Sequence, residues 1–259
     1  MNARYDFGRN WKDYSGQLDK RSIDYACAGL SKLVTNLNEK SFMDIGSGSG
    51  IHSLAASKLG ANEIYCVDYD MDSVNTTEEL LQENIEDKIW SVTQGDILSD
   101  KLVTEKKFDV VYSWGVLHHT GNVWKGIDNA LKYVKKDGLL IIALYLKTPF
   151  CLIWKYEKYI YSHYKVLRPF IKYPYLFALC LRKMKSPSTI TKNYSDTRGM
   201  SFYHDVDDWL GGYPYESVNN NELIRFMQKR NFTLINKFGT KPSIGIFGTG
   251  CGEWVFKKT

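Results

Sequence analysis

The stretch "FMDIGSGSGIHSL", Phe42 to Leu54, places three glycines within five residues directly after a short apolar run. The apolar run predicts a strand, and the following "GIHSLAASKLG" predicts a helix that ends at Gly60. A backbone without side chains at such a junction allows a ligand to approach closely. The stretch therefore predicts a ligand site at the end of a strand.

Strand and helix patterns alternate on both sides of this loop. The first 40 residues have helical spacing, and helices are predicted from Met71 to about Glu86 and near Val123 to Lys135. The further strands are "EIYCVDYD", "IWSVTQGDI", "FDVVYSWG" and "GLLIIALYL". They are apolar along most of their length, as expected when both faces of a sheet are covered. The pattern predicts an α/β fold with a doubly wound, mainly parallel sheet.

The alternation stops between Lys147 and about Ser217, where the chain is basic and rich in tyrosine. That interval is too long for a simple connection, so it predicts a cap inserted over the carboxyl ends of the strands. We expect four regions. They are a helical segment (1–40), a Rossmann-like core (41–146), the inserted cap (147–217) and a helix with a β-hairpin that completes the sheet (218–259).

Composition narrows the class of protein. A chain of 259 residues with 44% hydrophobic content can bury a real core. Its five cysteines form no C-x-x-C pair, so neither a zinc knuckle nor a disulfide framework is predicted. The start of the chain resembles no secretory signal, and "GLLIIALYL" is too short to span a bilayer, which predicts a cytoplasmic protein.

The glycine spacing distinguishes a dinucleotide from S-adenosylmethionine (SAM). A dinucleotide fingerprint, G-x-G-x-x-G, has its third glycine where this chain has Ile51. Asp44, just before Gly46, would repel a pyrophosphate but could interact with the cationic methionine part of SAM. Asp68 follows Gly46 by 22 residues, about the interval at which such folds place an acid on ribose hydroxyls. A glycine loop alone could be an ordinary turn, but the combination favours SAM.

On these residues, Phe42 to Tyr145 resembles the SAM-binding core of class I methyltransferases. Nearly the whole chain resembles a bacterial subgroup with an "FG-x-NW" start, here Phe7 to Trp11, and an "RGM…HD…DWLGGYP" block, here Arg198 to Pro214. The resemblance implies SAM as cofactor and a seven-stranded sheet with its last strand antiparallel. It also implies a connection with surface-glycan or secondary metabolism.

The resemblance further implies which residues hold SAM. The backbone of Gly46, Ser47 and Gly48 would lie against its amino-acid moiety, and Asp68 would bond the ribose. The other implied contacts are Tyr69 beside the adenine, Asp96 at its amino group, Ile97 at its ring, Ser113 and Trp114 at the methionine end, and Asn10 and Trp11 closing over the site. Many relatives have cysteine in place of Ser47, which a backbone contact tolerates.

Four residues are candidates for catalysis. Methyl transfer from a sulfonium requires alignment of the acceptor and, for a hydroxyl acceptor, removal of its proton. A neutral histidine suits that task. His118 and His119 follow the fourth strand, and His204 lies beside Asp205 in the inserted block. Each pair could instead be a packing or surface element.

The inserted block also carries candidate acceptor contacts. Trp209, Tyr213 and Tyr215 could stack on a sugar ring or base, and Arg198 could pair with a phosphate or carboxylate. The same residues could form a proline-braced packing motif. No ligand spacing supports a metal, so none is predicted.

These observations predict a SAM-dependent O-methyltransferase. The expected acceptor is a small molecule, a sugar or a nucleotide-linked or phosphorylated precursor of a bacterial capsular (surface) polysaccharide. The alternative is tRNA or RNA methylation, motivated by the nine Lys/Arg and one acid between 147 and 185. It ranks lower because no RNA-binding module is appended, so a nucleic-acid partner is not expected. The basic segment, with Ile153, Ile160 and Leu167 spaced seven apart, could be a helical lid or could contact a membrane surface.

Overall fold

The computed structural model describes residues 20–87, 89–101, 103–183, 202–241 and 243–259. Its strands are β1 (Ser41–Ile45), β2 (Glu63–Asp68), β3 (Ile89–Gln94), β4 (Phe108–Trp114), β5 (Val134–Tyr145), β6 (Phe232–Phe238) and β7 (Cys251–Lys258). Its described α-helices are α1 (Lys20–Leu33), α2 (Ile51–Lys58), α3 (Met71–Asn84), α4 (Val123–Leu131), α5 (Cys151–His163), α6 (Arg168–Lys183), α7 (Phe202–Gly211) and α8 (Asn220–Gln228).

The seven strands form one sheet in the order β3-β2-β1-β4-β5-β7-β6. Strand β1 pairs in parallel with β2 and β4, and β5 continues the parallel set beyond β4. Strand β7 runs antiparallel to both β5 and β6. The predicted doubly wound sheet with an antiparallel last strand is therefore confirmed.

Both faces of the sheet are covered, which explains the continuous apolar runs in its strands. Every residue of β1 is buried. Phe42 packs on one face with Leu30 of α1 and Leu54 of α2. Met43 packs on the other face with Ile127 of α4. Since adjacent strand residues point to opposite faces, β1 contributes to two hydrophobic cores at once.

The segment between β5 and α8 contains three described helices that pack on one another. Tyr161 of α5 forms a small apolar cluster with Phe202, Val206 and Leu210 of α7. Partly buried residues of α6, among them Ile171 and Leu176, pack against the same cluster. The division into four regions stays a prediction, but a separate cluster within the inserted segment supports it.

The topology sets where a ligand site can form. Because β1 to β5 are parallel, their carboxyl ends meet at one edge of the sheet, where open α/β sheets bind ligands. Glycines after β1, Asp68 at the end of β2 and Tyr145 at the end of β5 all lie at this edge. None of the helices in the described ranges is both long and apolar enough to cross a lipid bilayer.

Candidate cofactor and acceptor site

A cavity of about 1340 Å³ lies at the carboxyl edge of the sheet. One side is lined by the glycine loop and the ends of β2, β3 and β4. The other side is lined by α6, α7 and the segment that leads into β7. Its volume exceeds the roughly 300 to 1000 Å³ of typical small-molecule pockets. It therefore has room for an acceptor group beside a cofactor.

The glycine loop borders the cavity with backbone in the left-handed region. Gly46, Gly48 and Gly50 have φ angles of 79°, 57° and 78°. A Cβ atom at Gly46 would lie 2.4 Å from Cγ2 of Val116, so a side chain there is excluded by space as well as by conformation. The loop is thus bare backbone facing the cavity, as the sequence predicted.

The end of β2 places a fixed carboxylate beside this loop. Asp68 accepts hydrogen bonds from the backbone N–H of Gly48, at 3.0 Å, and of Asp70, at 2.9 Å. Tyr69 is half exposed, and Asp96 accepts from the N–H of Leu98 at 2.8 Å. Asp68, Tyr69, Asp96 and Ile97 all line the cavity, together with Trp114 from β4. The structure brings these predicted cofactor residues to one edge.

Two other predicted cofactor residues lie behind the described lining rather than in it. Asp44 is buried, and its carboxylate accepts from Ser53 Oγ at 2.7 Å. Burial raises the pKa of Asp44 to about 7, although the Ser53 hydrogen bond opposes the shift. Ser113 is fully buried and donates to the carbonyl of Ile45 at 2.9 Å. Instead of reaching the cavity, both side chains bond to the protein beneath the glycine loop.

His119 reaches the cavity, whereas His118 lies behind it. His119 Nδ1 is 2.9 Å from the carbonyl oxygen of Pro214. A carbonyl can only accept, so Nδ1 carries a proton, and whenever the ring holds a single proton Nε2 is the basic atom. His118 is 1% exposed and stacks on Tyr145, with ring centroids 3.8 Å apart. Burial holds the pKa of His118 well below its usual value, so that ring is neutral.

Helix α7 supplies the opposite wall. Asp205, Asp208 and Trp209 line the cavity. The ring of Trp209 meets Tyr145 edge-on, at 5.2 Å between centroids. Since Tyr145 also lies 5.3 Å from the His119 ring, α7 and β5 meet beside the candidate base.

The remaining predicted residues do not join this wall. Tyr213 packs against Tyr159 of α5, and the buried Tyr215 donates to Cys151 Sγ at 3.3 Å. Neither lies in the described lining, so their predicted stacking on an acceptor is replaced by packing inside the inserted segment. Asn10, Trp11 and Arg198 lie outside the described residues, as does the side chain of His204.

Three residues near the acceptor wall were missed by sequence reasoning. Tyr145 ends β5 and lines the cavity; the rule that strand ends carry ligands would have found it. Glu253 of β7 also lines the cavity and accepts from Trp114 Nε1 at 2.7 Å. It stands opposite Ala143 in an antiparallel pair, a register that the sequence does not reveal.

The third missed residue is Lys158 of α5, which is fully buried. Its Nζ lies 3.6 Å from the centroid of the Trp209 ring and donates to the Trp209 carbonyl. Burial lowers the pKa of Lys158 to about 7, although Glu157 and Asp208 favour its charged form. A lysine is seldom buried, so no sequence pattern signals this contact. It fixes both the backbone and the ring of Trp209.

Comparison with known proteins places this geometry in a family. Residues 27–162, more than half of the chain, match the family model described as ribosomal protein L11 methyltransferase (PrmA). The chain belongs to this family. It is 30% identical over 149 residues to the ribosomal protein L11 methyltransferase of Macrococcus caseolyticus, a match covering 52% of this chain and 46% of that relative. With the Acetivibrio thermocellus relative it shares 38% over 106 residues, covering 40% and 31%.

The chain thus spans less than half the length of these curated relatives. Solved structures match it more fully. Magnesium protoporphyrin IX methyltransferase from Synechocystis, crystallised with S-adenosylhomocysteine (SAH), has a TM-score of 0.54 at 15% identity over 92% of this chain and 82% of that one. A sarcosine dimethylglycine methyltransferase described from Galdieria sulphuraria has a TM-score of 0.55 at 11% identity, over 92% and 84%. At such identity the likeness concerns the fold.

Family and fold together confirm part of the prediction. The chain belongs to a methyltransferase family and has the fold of methyltransferases crystallised with SAM and SAH, as expected for a class I SAM-dependent methyltransferase. The predicted acceptor is wrong. The matched family and the curated relatives are named for a ribosomal protein, not for a sugar, a phosphorylated small molecule or a step of capsular polysaccharide synthesis. The alternative of tRNA or RNA methylation finds no support in these names either.

Gly46→Ala tests the glycine loop. The added methyl group meets Val116 and forces a left-handed residue to carry a side chain, which costs about 1 to 3 kcal/mol. Calorimetric titration with SAH should show at least about tenfold weaker binding. Gly126→Ala is the matched control, since its methyl group lies at ordinary contact distances within α4. Equal SAH affinity of the folded Gly46→Ala variant and wild type would remove the loop from cofactor binding.

Lys158→Met tests the buried lysine through the pH dependence of stability. Between pH 7 and about 10, an unfolded chain binds a proton on Lys158 that the folded chain does not. The free energy of unfolding of wild type, relative to Lys158→Met, should therefore rise with pH above 7, by up to about 1.4 kcal/mol per pH unit. Urea unfolding at pH 7 and pH 9 measures this. The exposed neighbour Lys155→Met is the control, and parallel wild-type and Lys158→Met profiles would contradict a buried, poorly protonated Lys158.

Proposed function

We propose that this chain transfers the methyl group of SAM to an amino group on a protein. The observation that carries the proposal is the chemistry of the acceptor wall, where carboxylates and aromatic rings line the cavity together with His119. The family supports a protein acceptor, because its curated members are named for a ribosomal protein. The carboxylates of the wall are support independent of the family, since the family match ends at residue 162, before Asp205, Asp208 and Glu253.

We infer a role in SAM binding for each predicted cofactor residue that lines the cavity. The backbone of Gly46 to Gly48 holds the amino-acid part of SAM, and Asp68 bonds the ribose. Tyr69, Asp96 and Ile97 border the adenine. Across the sheet, in the order β3-β2-β1-β4-β5, the cavity extends from the adenine contacts to Trp114 and Tyr145. A SAM molecule laid along this edge has its sulfonium beside the acceptor wall.

The acceptor wall suits a group that arrives with a positive charge. Asp205, Asp208 and Glu253 line it, and their carboxylates attract an ammonium group. The rings of Trp209 and Tyr145 add faces on which a cation is stabilised by about 0.5 to 2 kcal/mol. A neutral hydroxyl acceptor has no net charge for these carboxylates to attract.

Methyl transfer requires the acceptor nitrogen to present a lone pair. One proton must therefore leave the ammonium before attack, because a free amine of this kind titrates near pH 10. Nε2 of His119 can receive that proton, since Nδ1 is fixed by Pro214. The nitrogen then attacks the methyl carbon in line, the sulfur retains the bond electrons, and SAH is released. A positioned base of this kind contributes about 10²- to 10⁴-fold.

We further infer that the "DWLGGYP" block, which marks the subgroup that the sequence resembles, shapes the acceptor wall. Gly212 supports this assignment. A Cβ atom there would lie 2.5 Å from Cε1 of His119, so the block needs a glycine to approach the candidate base. Trp209 would thus line the acceptor wall, and Gly212 would leave the space that the His119 ring occupies.

The proposal predicts methylation of amino groups in a protein. Purified bacterial ribosomal protein L11 and lysine-containing peptides would be incubated with the enzyme and SAM, and mass spectrometry would locate the added methyl groups. The same peptides with acetylated amino groups are the control and should remain unmodified. Methylation of the acetylated peptides on another atom would contradict the assignment of an amine acceptor.

Two variants divide the roles within the site. His119→Gln should retain SAH affinity but lose about 10²- to 10⁴-fold in turnover. Asp208→Asn should raise KM for the peptide by about 10- to 100-fold, as expected when a hydrogen bond to a charged group is lost, with a smaller effect on kcat. Unchanged turnover of His119→Gln would remove it as the base.

A further inference from the structure

Helix α6 carries apolar side chains on two opposite faces. Ile171, Tyr175 and Leu179 pack toward the inserted cluster and the cavity. On the outside, a second set follows helical spacing and is between 62% and 75% exposed. Its members are Phe170, Tyr173, Phe177 and Leu181. Among the described residues, nothing packs over this second stripe, and its side chains face solvent.

The exposed apolar surface continues onto α5 and the turn between the helices. The residues involved are Leu152, Ile153, Tyr156, Ile160, Tyr164, Val166 and Leu167. This surface includes the three residues spaced seven apart in the sequence. Ile153, Ile160 and Leu167 are exposed, and the inward positions of α5 belong to Trp154, Lys158 and Tyr161. We call the combined exposed surface of α5, the turn and α6 the outer face.

The charge on the outer face has one sign. Glu157 is the sole acid in the sequence between 147 and 185, and both of its carboxylate oxygens are buried. Lys155 and Lys165 are exposed on the same segment. The outer face therefore presents cations among aliphatic and aromatic side chains, with no exposed carboxylate from α5 or α6.

We propose that the outer face binds the surface of an anionic lipid bilayer, with α5 and α6 lying in the interface. The cations complement acidic headgroups. The aliphatic side chains and phenylalanines enter the acyl boundary, and the tyrosines place their hydroxyls at the headgroups. A nucleic acid would match the charge but would leave Leu152, Val166 and Leu181 in water.

The location of the outer face connects lipid binding with the cavity. Tyr175, Leu179 and Arg182 of α6 line the cavity, while Phe170 and Phe177 of the same helix face outward. A bound bilayer would thus lie about one helix diameter, roughly 10 Å, from the cavity. The inference does not depend on which acceptor the enzyme uses.

Vesicle sedimentation tests the proposal on the full chain. Wild type should sediment with vesicles of phosphatidylcholine and phosphatidylglycerol, less with phosphatidylcholine alone, and less at high salt. Phe170→Ser with Phe177→Ser should weaken binding to the mixed vesicles by at least about tenfold. Lys155→Glu with Lys165→Glu should reduce binding to the anionic vesicles but not the residual binding to phosphatidylcholine.

The matched control removes apolar side chains of comparable exposure elsewhere. Ile89→Ser with Ile235→Ser changes strands β3 and β6 and should leave sedimentation unchanged. All variants should retain SAH affinity by calorimetry, which shows that they are folded.

Two results would overturn the proposal. One is wild type that fails to sediment with anionic vesicles, or sediments equally well after both phenylalanines are replaced. The other is a dimer, detected by light scattering, that the Phe170→Ser and Phe177→Ser changes dissociate; the outer face would then bind a second copy of the chain.

Discussion

The structure depends on the close approach of bare backbone to the end of strand β1. Gly46 turns in the left-handed region directly against Val116, leaving no room for a side chain. Gly48 then directs its N–H to Asp68 at the end of β2. This hydrogen bond connects the loop after β1 to the end of β2. The parallel sheet brings the ends of β3, β4 and β5 to the same edge. The position of the SAM site at this edge therefore depends on the parallel strand pairing as much as on any single residue.

The other half of the site is built differently. The acceptor wall comes from α7 and β7, and it is supported from behind by the buried Lys158 of α5. The family match ends within α5, at residue 162, so the shared part of the family is the cofactor side. A fold common to many methyltransferases thus carries an acceptor wall built largely from α7 of the inserted segment and from β7. This division explains why resemblance identified SAM correctly and the acceptor wrongly.

The succession of strands and helices along the chain and the glycine loop could be predicted, because alternating apolar patterns and glycine spacing are local signals. Asp68 follows from the rule that ligands bind at strand ends, whereas Tyr69, Asp96 and Trp114 were implied by the family resemblance. Asp44 shows the limit of that rule, since its side chain turns under the loop and bonds Ser53. Lys158 and Glu253 depend on tertiary contacts and strand register, which no short pattern encodes. The aromatic residues Tyr213 and Tyr215 suggested stacking on an acceptor, but tertiary packing uses them inside the protein.

A crystal structure of the complex with SAH tests the central claim most directly, because the claim concerns where the sulfur lies. We expect the amino-acid part of SAH against Gly46 to Gly48, its ribose hydroxyls on Asp68, and its sulfur facing the space between Tyr145, His119 and Trp209. SAH bound elsewhere, or bound with its sulfur directed away from these three rings, would contradict the account.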